Sequence, residues 1–175
     1  QKFIAVTLDA TNFTYLGERY KGKVRDVYTH CNRSLLIATD RQSAFDISWC
    51  TIPLKGQVLN QLSAWWFEQV KDIMPTHIVS VPDPNVVVVK RLEMLKVEIV
   101  VRAYLAGSTE TSAWVNYAKG VRKFCGNDLP DGMKKYQKFP SPILTPTTKG
   151  ERDELIDPAT IIKEKLATSS QWEDI

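Results

Sequence analysis

The chain has 175 residues, enough for one medium domain or two small ones with a core that needs no disulfide support. Its 23 Lys and Arg against 20 Asp and Glu leave a net charge of +3, too slight a bias for a nucleic-acid binder, and a 43% apolar, 25% charged composition argues against disorder. The longest apolar run, Val86 to Val89, is far short of a membrane span, and Cys31, Cys50 and Cys125 show no CxxC spacing, so reduced thiols in the cytoplasm are expected.

In chain order, Tyr15 to Leu16 and Val24 to Tyr28 are expected to flank a short basic loop, Gly17 to Lys23. Leu35 to Thr39 reads as a strand covered on both faces. From Gly56, the residues Val58, Leu59, Leu62, Trp65, Trp66, Val70 and Ile73 recur near a 3.6 period and predict an amphipathic helix that ends before Pro75. This places two of the five tryptophans on a core-facing stripe, and core is the expectation for all five. Val86 to Lys90 and Val97 to Leu105 read as strands, and Arg91 to Lys96 is long enough to join them as a hairpin. A short helix is expected over Thr109 to Ala118, stopped by Gly120. The stretch from Gly126 to Lys149, rich in Pro and Gly, reads as a covering arm. Asp157-Pro158 opens a helix over Ala159 to Leu166. Ser170 and Glu173 fit a capping box so near Ile175 that the chain is expected to be a fragment.

Several residues carry chemistry. In Tyr20-Lys21-Gly22-Lys23-Val24-Arg25-Asp26, a glycine lets backbone N–H groups turn toward an anion, and Lys21, Lys23 and Arg25 add charge at alternate positions. That suits a nucleotide triphosphate over a strand–turn–strand, although a solvated basic hairpin has the same pattern. Asp40-Arg41-Gln42-Ser43-Ala44-Phe45-Asp46 follows a strand directly, where Asp40 and Asp46 are placed to hold a cation, position an amine or orient a basic side chain. A turn capped by Asx and Ser is the plainer alternative. On the later strand Glu98 and Arg102 share a face about 13 Å apart. Arg102 suits a phosphate, as does Ser108, an N-cap candidate. Lys90 ends an apolar strand, within reach of a phosphate or snorkelling to water, while His30 and His77 have no metal-ligand spacing.

Four ordered segments resemble the SAICAR synthetase family: Gly22 to Tyr28, Ala38 to Asp46, Val97 to Ser108 and Phe139 to Lys149. The resemblance implies an α+β fold. Its first part would be an antiparallel sheet resembling a kinase small lobe, residues 1–95 here, and residues 96–175 would begin a larger α+β region that binds the ribotide. It implies an ATP- and Mg2+-dependent ligase of purine biosynthesis. The carboxylate of the ribotide CAIR is phosphorylated, and L-aspartate attacks the acyl phosphate to give SAICAR, ADP and phosphate. Carried over by residue, Lys21, Gly22, Lys23, Val24 and Arg25 would cover the ATP phosphates, Lys90 would reach the nucleotide, and Leu92 and Met94 would meet adenine. Ser43, Arg102 and Ser108 would bind the ribotide. Asp40 and Glu98 would be catalytic, Asp40 taking a proton from the amine and Glu98 orienting groups in the site. Lys96 stands where the family usually has proline. The family segments that hold magnesium have no counterpart in residues 1–175, so no metal ligand is assigned and the stretch alone is expected to be inactive. A kinase-like phosphotransferase and a non-catalytic basic binding module are the alternatives. No nucleic-acid or membrane partner is expected, and the sequence leaves the oligomeric state open.

Overall fold

Short β-rich runs punctuated by turn residues build the first half of the chain, and the computed structural model describes residues 6–44, 47–150 and 153–175. Phe45 and Asp46 lie outside the described residues. The chain divides between Glu93 and Met94 into two units.

In the first unit, strands β1 (Arg19–Lys21), β2 (Arg25–His30), β3 (Arg33–Ala38), β6 (Ile78–Asp83) and β7 (Val86–Lys90) form one antiparallel sheet in the order β1-β2-β3-β7-β6. Strands β4 (Arg41–Ala44) and β5 (Ile47–Thr51) form a separate antiparallel pair. The basic segment is therefore a tight hairpin rather than a loop from Gly17, since β1 already pairs with β2, and Thr14–Leu16 is a 3-10 turn. Alternation along β2 puts Asp26 and Tyr28 in the interior, where Ile37, Val87 and Val89 are also buried.

Helix α1 (Lys55–Gln69) forms where the period predicts, but it lies the other way round. Gly56 and Asn60 are its buried residues, while Val58, Leu59, Leu62, Trp65 and Trp66 are exposed. The helix stops short of Ile73, which is 82% exposed. Close approach is the physical reason. A Cβ on Gly56 would stand 2.4 Å from the Ala38 carbonyl oxygen, so the first turn of the helix can meet the sheet only through a glycine. The expectation of a tryptophan core fails for Trp49, Trp65 and Trp66, whereas Trp114 and Trp172 pack against the cores of the second unit.

In the second unit, β8 (Val97–Tyr104) pairs with β11 (Lys138–Thr148), not with β7, so the expected hairpin across Arg91 to Lys96 does not form. The proline-rich stretch read as an arm is thus the partner strand of β8. Its prolines are placed where a missing N–H costs little. Pro140 and Pro142 fall within the register irregularity between Lys138 and Ile143. Pro146 turns its carbonyl away from β8 to accept from the Ile156 amide at 3.1 Å. Leu105, Ala113, Tyr117, Phe124, Leu129, Met133 and Phe139 make one core, and Val97, Ile161 and Ala167 a second.

The remaining elements are β9 (Lys123–Phe124), β10 (Asn127–Asp128) and three short helices, α2 (Ala113–Ala118), α3 (Pro158–Lys163) and α4 (Ser169–Glu173). Helix α2 starts later than expected, with Ser112 rather than Ser108 at its N-cap, because Gly107 at φ 106° turns the chain and brings Ser112 against it. Gly120, at φ 93°, follows its last turn as expected. Asp157 caps α3, accepting the Thr160 amide at 2.7 Å. That bond lowers the Asp157 carboxyl below its ordinary pKa. The capping box belongs to Thr168 and Gln171 rather than Ser170 and Glu173.

Candidate active site

The basic hairpin owes its shape to a buried ion pair between Arg41 and Asp26. Arg41 Nη2 donates to Asp26 Oδ1 at 2.8 Å, and Asp26 is wholly buried. Burial pushes the Asp26 carboxyl up, but the Thr11 amide and hydroxyl and the Arg41 guanidinium outweigh it and hold its pKa below the ordinary value. The same guanidinium reaches into the hairpin tip. Nη2 donates to the Gly22 carbonyl at 3.0 Å and Nε to the Lys23 carbonyl at 3.2 Å, while Nη1 donates to the Asp9 carbonyl. Thr39 completes the tip, its amide and hydroxyl both donating to the Val24 carbonyl.

Two cavities adjoin this hairpin. One, of about 260 Å³, is lined by Lys21, Gly22, Lys23, Arg41, Ser43 and Ser48. It brings together three residues expected at ATP phosphates and Ser43, expected at the ribotide. The other, of about 240 Å³, lies between sheet and α1; Val24 and Arg25 line it beside an apolar floor that includes Leu36, Ala38 and Val87. Lys90 and Leu92 are exposed in the same unit and line neither cavity.

Asp40 sits deeper than an open catalytic carboxylate. It is 4% exposed. Oδ2 accepts the Leu8 amide at 2.8 Å and Oδ1 the Gly56 amide at 2.9 Å. It therefore ties the start of α1 to the strand end, in the manner of a distant N-cap.

The second unit carries the remaining expected residues. In the β8–β11 register Glu98 stands opposite Thr147 and Arg102 opposite Ile143, so the two share a face as the alternation predicts. Glu98 is exposed, whereas Arg102 is half-buried and its Nε donates to Thr145 Oγ1 at 2.9 Å. Met94 and Ser108 are exposed. Among the described residues no group of three or more His, Cys, Asp or Glu side chains is assembled to hold a metal, and no helix is long and apolar enough to cross a membrane.

Sequence reasoning passed over Asp26, Arg41 and Thr39 as site-forming residues. The available signal was a charged Asp at an inward position of β2, which demands a buried cation.

Comparisons with known proteins bear on the family and the fold. The chain is 49% identical over 159 residues to a phosphoribosylaminoimidazole-succinocarboxamide synthase of Legionella pneumophila, covering 90% of this chain and 51% of that protein. It is 49% identical over 161 residues to the chloroplastic enzyme of that name from Vigna aconitifolia, covering 91% and 47%. The chain thus spans about half the length of these curated relatives. Its fold matches the Saccharomyces cerevisiae SAICAR synthase solved with SAICAR, at TM-score 0.82 and 30% identity, over 95% of this chain and 61% of that one. The family model described as SAICAR synthetase matches residues 18–175, from the basic hairpin through both antiparallel units, and the chain belongs to that family.

Proposed function

We propose that the chain takes part in ATP-dependent joining of CAIR to L-aspartate. The observation that carries this reading is the cavity where Lys21, Gly22 and Lys23 meet Ser43, in a chain of this family. A carboxylate oxygen of CAIR attacks the γ-phosphorus of ATP and ADP leaves. The aspartate amine then attacks the acyl carbon, the C–O bond to phosphate breaks, and the amine gives up a proton as SAICAR forms. Such transfers depend chiefly on positioning and charge neutralisation, which the cationic hairpin supplies at the phosphates. A solved SAICAR synthetase of the same fold, at 21% identity, is in complex with ADP.

We assign Asp40 to holding the strand end and α1 together, because both its oxygens are engaged by amides. Glu98, exposed on β8, keeps its expected role of orienting groups in the site. The assignments of Val24, Arg25, Lys90, Leu92 and Met94 to the nucleotide, and of Ser43, Arg102 and Ser108 to the ribotide, rest on the family resemblance. So does Mg2+, which would neutralise phosphate charge. The described residues offer it no cluster of ligands, and no step is routed through it. The three free thiols fit a reducing compartment such as the cytoplasm. The test is ADP release by the protein as encoded by its gene. Release that requires both CAIR and L-aspartate is expected. Release with a hydroxyl acceptor and no L-aspartate would overturn the reading in favour of a kinase.

A further inference from the structure

We propose that Arg41 is a positioning residue for the nucleotide phosphates, acting through the hairpin tip rather than by touching the ligand; this rests on the nucleotide reading above. Four of its five N–H donors are already committed, to the carbonyls of Asp9, Gly22 and Lys23 and to the Asp26 carboxylate. It is 3% exposed, so it has little left to offer an incoming phosphate.

What it does to the tip follows from peptide geometry. The described chain has no cis peptide bond, and in a trans peptide the C=O and the next N–H point opposite ways. Drawing the Gly22 and Lys23 carbonyls onto one guanidinium fixes both peptide planes of the tip, and with them the backbone from which Lys21 and Lys23 line the cavity. The planar fork of arginine is what holds two adjacent carbonyls at once; lysine, a single point charge, would satisfy Asp26 without fixing the tip. Asp26 in turn fixes the fork, and Thr11 fixes Asp26. The tip is therefore set before any ligand arrives.

Arg41→Lys tests this, with Tyr28→Phe as the comparison. Tyr28 binds the same network from its far end, through Thr11 and the Phe13 amide, without touching the tip. Binding of ATP and of adenosine is measured by titration calorimetry for each protein, with melting temperature recorded alongside. For Arg41→Lys, ATP affinity is expected to fall at least tenfold while adenosine affinity stays within twofold. For Tyr28→Phe the ratio of the two affinities should stay at the wild-type value even as stability falls. The double variant Asp26→Asn/Arg41→Gln removes the fork without leaving a charge unpaired, and it should repeat the phosphate-specific loss if the lysine variant does not fold. Equal losses for ATP and adenosine, or an unchanged ratio in both fork variants, would overturn the inference and leave the nucleotide reading intact. Failure of the wild-type chain to bind ATP would overturn both.

Discussion

The Arg41 guanidinium and the Asp26 carboxylate lie 2.8 Å apart in a setting closed to water, with side-chain exposures of 3% and 0%. Such a pair is not a large net source of stability, but removing one member is costly, since a buried charge is left uncompensated. Asp26→Asn is expected to destabilise the first unit by about 3–5 kcal/mol, read from urea unfolding at pH 7.

The same pair sets an acid limb. Because the folded Asp26 carboxyl is held below its ordinary value, its contribution is fully present above the unfolded pKa of about 3.9 and is lost as pH falls through the folded value. Wild-type stability should therefore drop steeply below pH 4, and the Asp26→Asn protein should show a shallower fall over that range. Parallel curves would contradict this account.

A second titration works in the opposite sense. Burial raises the Cys125 thiol to about 11, against the pull of Arg102 and with a small push from Asp157. The folded protein holds this proton more tightly than the unfolded chain, so the contribution is present below about pH 8.5 and fades as pH climbs toward the folded value. At pH 8, iodoacetamide should label the exposed Cys31 and Cys50 and spare Cys125. Intact mass should read two adducts, and a rapid third would contradict the burial.

The inverted helix gives a paired prediction. Gly56→Ala would press a methyl against the Ala38 carbonyl and, at 2.7 Å, the Asn85 amide nitrogen, for an expected loss of about 1–3 kcal/mol. Val58→Ser, on the exposed side, should change stability by no more than about 0.5 kcal/mol. Thermal unfolding of the two variants reads the difference, and the reverse order would mean that the helix faces as its periodicity suggests.

If Arg102 grips the ribotide phosphate, Arg102→Ala should weaken CAIR binding by about 2–3 kcal/mol, the scale of a charge-assisted hydrogen bond. ATP binding should stay unchanged. Calorimetric titration of each ligand separates these effects, and a loss confined to ATP would reassign that face of β8.

How much of this was legible in the sequence depends on how local the cause is. The hairpin cations were visible because glycine and alternating basic residues act within a few positions, and the Asp157-Pro158 start and Gly120 stop are equally local. Family resemblance supplied what locality could not: the order of motifs and the α+β class. Neither revealed that Arg41 reaches back to Asp26, a pairing made only once β2 lies inside the sheet. The α1 stripe misled because periodicity reports that a face is apolar, not which face meets the sheet, and at Gly56 backbone approach decided. The β11 prolines misled because composition cannot say which N–H groups the ladder needs.

Those prolines also bear on how the β8–β11 ribbon behaves in concentrated solution. Residues 154–156 cover the outer edge of β11 from Pro146 to Thr148, and an edge left open elsewhere invites pairing with another chain. Pro140 and Pro142 are exposed, lack the donor a visiting strand would need, and sit where the register already breaks. Over that stretch β11 makes a poor template for intermolecular strand addition, so the device that lets a proline-rich segment serve as a strand also guards it against aggregation.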